Sequence, residues 1–144
     1  MELKPKFGID RLLFGMKEDN VKALYGEPDK RFKDDEKNVI LVYHELQLRL
    51  TFYQDENLRL GYIICASPKL NISGELLIGK EIVAVKKKLE VFHLTKWEIE
   101  EFDITENHFN EEHWIILQSE FGKVIKIEIG AIINDADEFD WRFE

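Results

Sequence analysis

Along residues 46–53 apolar and polar positions alternate strictly. Leu46, Leu48, Leu50 and Phe52 fall on one side, and Gln47, Arg49, Thr51 and Tyr53 on the other. A period of two is the signature of a strand with one face on a core and the other in water. Val39–His44 and Leu58–Cys65 predict two flanking strands. Asp55-Glu56-Asn57 supplies the turn into the second of them, with Asn57 tolerant of positive φ. Later in the chain Lys96–Phe102, His113–Ser119 and Lys123–Ile133 repeat the theme, and Glu120-Phe121-Gly122 replaces the earlier turn. Helical periods precede each set. Lys17 to Tyr25 places Val21, Leu24 and Tyr25 on one face, after which Gly26 can end the helix and Pro28 prevents its resumption. Glu81 to Leu89 does the same with Ile82, Val85 and Leu89, and Lys86, Lys87 and Lys88 come late, where cations complement the helix dipole. The polar, mixed-charge stretch Lys30 to Asn38 reads as a loop.

These elements occur twice in the same order. Leu12-Leu13-Phe14-Gly15 returns as Leu76-Leu77-Ile78-Gly79, 64 residues on, and Leu58 and Val124 correspond at a spacing of 66. A recurrence at fixed spacing is decisive for the fold expected. The pattern predicts an α+β protein of two tandem units, residues 1–69 and 70–144, each a short helix followed by antiparallel strands. The strands are expected in one continuous or two abutting sheets with the helices on one side, and Ser67-Pro68 to Ser73-Gly74 is the joint.

The run Leu13 to Asp29 resembles the opening of SmpA/OmlA-type and β-lactamase-inhibitor-protein-like units, on Gly15, Met16, Val21, Leu24, Gly26 and Pro28. It departs from them at Lys17, where a small hydroxyl residue usually caps the helix, and in the second copy, which has Glu90-Val91-Phe92 where the Gly-x-Pro exit would stand. The resemblance implies a helix feeding an antiparallel sheet, a combined sheet that grips another protein, and no catalytic residue.

Composition adds an asymmetry. The chain of 144 residues carries a formal net charge of −9, distributed as +2 over residues 1–96 and −11 over residues 97–144. A field of that sign repels nucleic acid and anionic membranes and steers cationic partners. No run reaches the roughly 18–20 apolar residues of a membrane span, and no secretory signal is recognisable, so a cytoplasmic location is expected. The single cysteine, Cys65, lies in an apolar run and is expected to be a buried small hydrophobe, since reactive thiols need an electropositive, partly exposed setting.

Catalytic signatures are thin: there is no GxSxG, Walker-type loop, CxxC pair or HExxH. An enzyme is not expected, nor a cofactor. His108 and His113 with Glu111 and Glu112 between them offer a metal-binding alternative, although the segment reads as a turn entering a strand. More suggestive are two stretches that interleave carboxylates with large apolar groups. One contains Trp97, Glu98, Glu100 and Glu101, the other Asp135, Asp137, Glu138, Asp140 and Trp141. Aromatics give rigid contact area, and carboxylates pair with Lys and Arg. Phe139, Trp141 and Phe143 alternate as a final edge strand would. The expectation is a non-catalytic binding protein for a cationic protein partner, most concretely an immunity protein neutralising a basic toxin such as a nuclease. In it Glu98, Glu100, Glu101, Asp135, Asp137, Glu138 and Asp140 supply the charge, and Trp97 and Trp141 are the anchors. The alternatives are an assembly accessory protein working through sheet edges and a small-ligand or metal module around His108 and His113.

Overall fold

Period-two segments from both halves of the chain share one eight-stranded antiparallel sheet. In the computed structural model, which describes residues 1–144, three short strands, β1 (Leu3–Lys4), β2 (Gly8–Ile9) and β3 (Leu12–Leu13), precede helix α1 (Glu18–Tyr25). Strands β4 (Lys30–Lys33), β5 (Val39–Tyr43), β6 (Leu48–Tyr53) and β7 (Arg59–Cys65) then form a meander. A hairpin of β8 (Asn71–Ile72) and β9 (Glu75–Leu76) leads to helix α2 (Ile82–Leu89). A second meander follows, of β10 (Glu98–Phe102), β11 (Thr105–Asn110), β12 (Ile115–Glu120) and β13 (Lys123–Gly130). The sheet order is β10-β11-β12-β13-β7-β6-β5-β4, so the last strands of the two meanders meet at its centre, Ile127 beside Cys65 and Ile129 beside Ile63. The protein is thus α+β, with mostly antiparallel strands and two short helices.

One face of the sheet is the core. Leu41, Leu50, Ile63, Ile129 and Ile115 lie on a single row across five strands, and all are buried. Val21 of α1 and Ile82, Val85 and Leu89 of α2 join them in one buried cluster, together with Cys65. Each fully buried aliphatic side chain of this kind contributes about 1.5–3 kcal/mol. The opposite face carries Arg49, Thr51, Tyr62, Ile64, Lys126, Glu128, Ile116 and Gln118, while the buried residues of both helices belong to the core cluster.

Glycine fixes the start of each helix. Gly15 (φ +102°) donates its N–H to Leu60 O at 2.9 Å, and Leu60 N–H donates to Met16 O at 2.8 Å. Gly79 (φ +84°) donates to Val124 O at 2.7 Å, and Val124 N–H donates to Lys80 O at 2.9 Å. Both glycines hold a left-handed backbone that disfavours a side chain. At α1 the missing hydroxyl cap is offset from the other direction: Asn20 Oδ1 accepts the Lys17 N–H at 2.9 Å, and Glu18 and Asp19 sit in the first turn. Gly26 (φ +81°) ends the helix as expected, its N–H on Lys22 O at 2.7 Å, and the Tyr43 hydroxyl donates to Gly26 O at 2.8 Å.

Three segments differ from expectation. Lys30–Lys33, read as loop, is the edge strand β4. An edge strand with all four side chains exposed needs no apolar alternation, so no period could betray it. Thr105–Asn110 is the strand β11, not the approach to a turn. Its inward positions are His108 and Asn110, buried polar groups where the pattern called for apolar ones. Asn110 Nδ2 donates to Lys96 O at 3.0 Å, and its Oδ1 accepts the His113 N–H at 2.9 Å. The tail is no strand of the sheet either. A single bridge joins Ile133 to Phe139, and the chain then crosses back to Phe14, whose carbonyl accepts the N–H groups of Arg142 (3.1 Å) and Phe143 (3.0 Å).

Candidate functional site

Register brings the acidic and aromatic groups of the second meander together on the uncovered face. Glu98, Phe109, Ile116 and Glu128 lie side by side across β10, β11, β12 and β13, with Glu100, Asn107, Gln118 and Lys126 as the next row. Trp114, in the turn between β11 and β12, adopts a left-handed backbone (φ +50°) that swings its ring over Gly130. A Cβ at Gly130 would lie 2.2 Å from Trp114 Cδ1, so the ring rests on bare backbone. Trp114 meets Phe109 edge to face with centroids 5.0 Å apart.

These groups enclose a hollow of about 440 Å³ whose walls are Tyr62, Phe109, Trp114 and Ile116 and whose rim carries Glu98, Glu100 and Asn107. The Tyr62 hydroxyl donates to Glu128 Oε1 at 2.5 Å, and burial together with that bond pushes the phenol up, so it stays a donor. Gln118 Nε2 donates to Asn107 Oδ1 at 2.9 Å and orders the second row. A second hollow of about 460 Å³ adjoins the first through Glu98 and Phe109, and adds Lys96, Trp97, Asn110, Glu111 and Glu112. None of Glu98, Glu100, Glu111 and Glu112 takes part in the five Lys or Arg ion pairs of the chain or in the His108–Glu106 contact. An alkyl stem laid on Trp114 and Phe109 with its ammonium or guanidinium at the rim would meet both kinds of surface at once.

The residues singled out from the sequence divide. Glu98 and Glu100 line the first hollow. Glu101 alternates to the helix side of β10, opposite Glu106. Trp97 faces α2, with Lys86 Nζ 5.5 Å from its ring centroid, and lines the second hollow. Asp135, Asp137 and Glu138 sit on an exposed loop held by Asn134, whose Oδ1 accepts the N–H groups of Ala136 and Glu138. Asp140 is 3.3 Å from Arg142. Trp141 is partly buried, stacking on Phe139 at 4.8 Å and packing against Gly15. Neither of these two hollows contains both acidic stretches. Glu111 and Glu112 bridge the gap, lining the second hollow on one side and meeting Trp114, Ile132 and Ile133 on the other.

Phe109, Trp114, Tyr62, Ile116 and Glu128 escaped sequence reasoning, because strand neighbours far apart in the chain cannot be read from periodicity. Glycine inside a strand was the available signal: Gly61 and Gly130 each lie under an aromatic ring, Tyr53 and Trp114 respectively. The histidine alternative resolves into two separate environments. His108 Nε2 is 3.2 Å from Glu106 Oε1, and His113 Nδ1 is 3.1 Å from Asn110 Oδ1. No three His, Cys, Asp or Glu side chains gather there as a metal would need.

No protein-family model matches the chain, and no curated protein matches it. Three solved chains match, two of them as follows. One is an extracellular protein containing a SCP domain from Bacillus anthracis, at 14% identity and a TM-score of 0.55, covering 89% of this chain and 49% of that one. The other is a cysteine-rich secretory protein from Staphylococcus aureus, at 13% identity and a TM-score of 0.49, covering 88% of this chain and 47% of that one. This chain therefore spans about half the length of the solved chains it matches. At such identity the likeness is one of fold. The expected cytoplasmic location does not stand, because the B. anthracis protein that shares this fold is described as extracellular.

Proposed function

We propose that the chain is a binding module that takes a cationic polypeptide segment on the acidic, aromatic end of its open sheet face. The observation that carries the proposal is the row Glu98, Phe109, Ile116 with Trp114 beside it, free carboxylates next to exposed aromatic surface. The net −11 of residues 97–144 adds a long-range field of the right sign. In this reading Glu98 and Glu100 touch the partner, while Glu101, Asp135, Asp137, Glu138 and Asp140 act through the field. An immunity-type protein neutralising a basic toxin is one member of the class. The carboxylates support it as they support any cationic partner, but the cytoplasmic setting that favoured it has fallen away.

The same proposal includes an origin for the fold as two tandem units. It is supported by the paired hydrogen bonds of Gly15 and Leu60 and of Gly79 and Val124, both pairs related by 64 positions, and by meanders that meet end to end at β7 and β13. The resemblance of Leu13 to Asp29 to inhibitor-protein units fits such an origin.

Surface plasmon resonance with a short oligo-lysine peptide, and oligo-glutamate as control, tests the function. Glu98→Gln/Glu100→Gln is expected to weaken binding about tenfold, roughly 1.4 kcal/mol, chiefly through faster dissociation. Asp135→Asn/Asp137→Asn/Glu138→Gln is expected to slow association and flatten its salt dependence. Unchanged affinity in the first variant, or equal capture of oligo-glutamate, rules the assignment out.

A further inference from the structure

The eight-stranded sheet has two uncovered edges of opposite charge. At one end β4 reads Lys30-Arg31-Phe32-Lys33, and at the other β10 reads Glu98-Ile99-Glu100-Glu101-Phe102, with every side chain of both strands exposed. We infer that the chain associates with a second copy of itself head to tail, β10 of one copy adding β4 of the next.

Three features of the geometry favour that pairing. Eight strictly antiparallel strands run alternately, so β4 and β10 point in opposite directions. A copy displaced along the sheet therefore presents β4 antiparallel to β10 with its open face on the same side. The faces also match. Lys30 and Phe32 share the open face with Glu98, Glu100 and Phe102, and Arg31 and Lys33 share the helix face with Ile99 and Glu101. Finally, the charges are available: Lys30, Lys33, Glu98, Glu100 and Glu101 form no ion pair within the chain, while Arg31 alone is engaged, by Glu18 at 2.7 Å.

Charged side chains on an edge ordinarily block strand addition. Here they block only like edges, since β10 against β10 or β4 against β4 sets like charges opposite one another, which is destabilising. Opposite edges attract, and Phe32, Ile99 and Phe102 add exposed apolar surface to the contact. With strands of four and five residues the contact is small, so association is concentration-dependent and screened by salt. Being heterologous, it extends rather than closing as a symmetric dimer.

This goes beyond the hollow, sharing its rim carboxylates Glu98 and Glu100 but using backbone edges rather than the aromatic walls, and the two fail separately in variants of residues that only one of them uses. Trp114→Ala should lose peptide binding and keep self-association, whereas Lys30→Glu/Lys33→Glu should do the reverse. Sedimentation equilibrium at low salt over a concentration series is the test. Wild type is expected to rise above the mass of one chain as concentration increases, with hydrogen-exchange protection appearing on the amides of β4 and β10. Lys30→Glu/Lys33→Glu and Glu98→Lys/Glu100→Lys/Glu101→Lys should each stay monomeric while keeping the wild-type circular dichroism. Their equimolar mixture should associate, because each supplies an edge the other can pair with. A wild type that stays monomeric throughout, a single-edge variant that associates like wild type, or folded variants whose mixture stays monomeric would overturn the inference.

Discussion

A ring lying on a glycine is a small arrangement with a large effect on what the surface can do. Trp114 is held by the bare backbone of Gly130 below and the edge of Phe109 beside it. Gly130→Ala would put a methyl group 2.2 Å from Trp114 Cδ1, far inside contact distance, and the ring is the part that must move. Overpacking of this kind costs about 1–3 kcal/mol. The variant is expected to melt at lower temperature and to lose oligo-lysine affinity; wild-type binding with a displaced ring would show that the hollow does not need it. Little at this scale was legible beforehand. The sequence names a tryptophan and a glycine sixteen positions apart, and only the pairing of β12 with β13 makes them neighbours.

Elements were legible in proportion to how apolar their inward face is. β6 reads plainly because Leu48, Leu50 and Phe52 all point into the core, and both helices read from Val21 and from Ile82, Val85 and Leu89. β11 was hidden because it buries His108 and Asn110 instead, and, with His113 in the turn that follows, it predicts a pH-dependent stability. Burial, with the nearby Lys86 ammonium, holds His108 below its ordinary value, and burial, with Lys6, does the same for His113. Protons then bind the unfolded chain more readily than the folded one just below pH 6.5, the ordinary histidine value. Stability from this source is fully present above that pH and is lost as pH falls through the depressed folded values. Urea unfolding at a series of pH values should show the midpoint declining below about pH 6.5. His108→Gln/His113→Gln should flatten the slope there, and an unaltered slope in the variant would place the titration elsewhere.

For the molecule as a whole, charge asymmetry was readable from composition, and its consequence depends on the sheet. The acidic residues of 97–144 do not form one patch. Glu98 and Glu100 face the hollow, Glu111 and Glu112 extend it, and the tail acids stand apart on the loop at Asn134. The aromatic tail that resembled an edge strand returns to Phe14 and packs there, leaving β10 and β4 as the true edges. In the proposed binding mode a cationic segment is taken at the hollow rather than by the acidic tail. Titrating the 15N-labelled chain with oligo-lysine and following its amide and indole resonances tests this most directly. Saturable shifts are expected at Phe109, Trp114, Ile116 and Glu98, with smaller, salt-sensitive shifts at Asp135–Glu138. Shifts confined to the tail loop, with Trp114 unmoved, would contradict it.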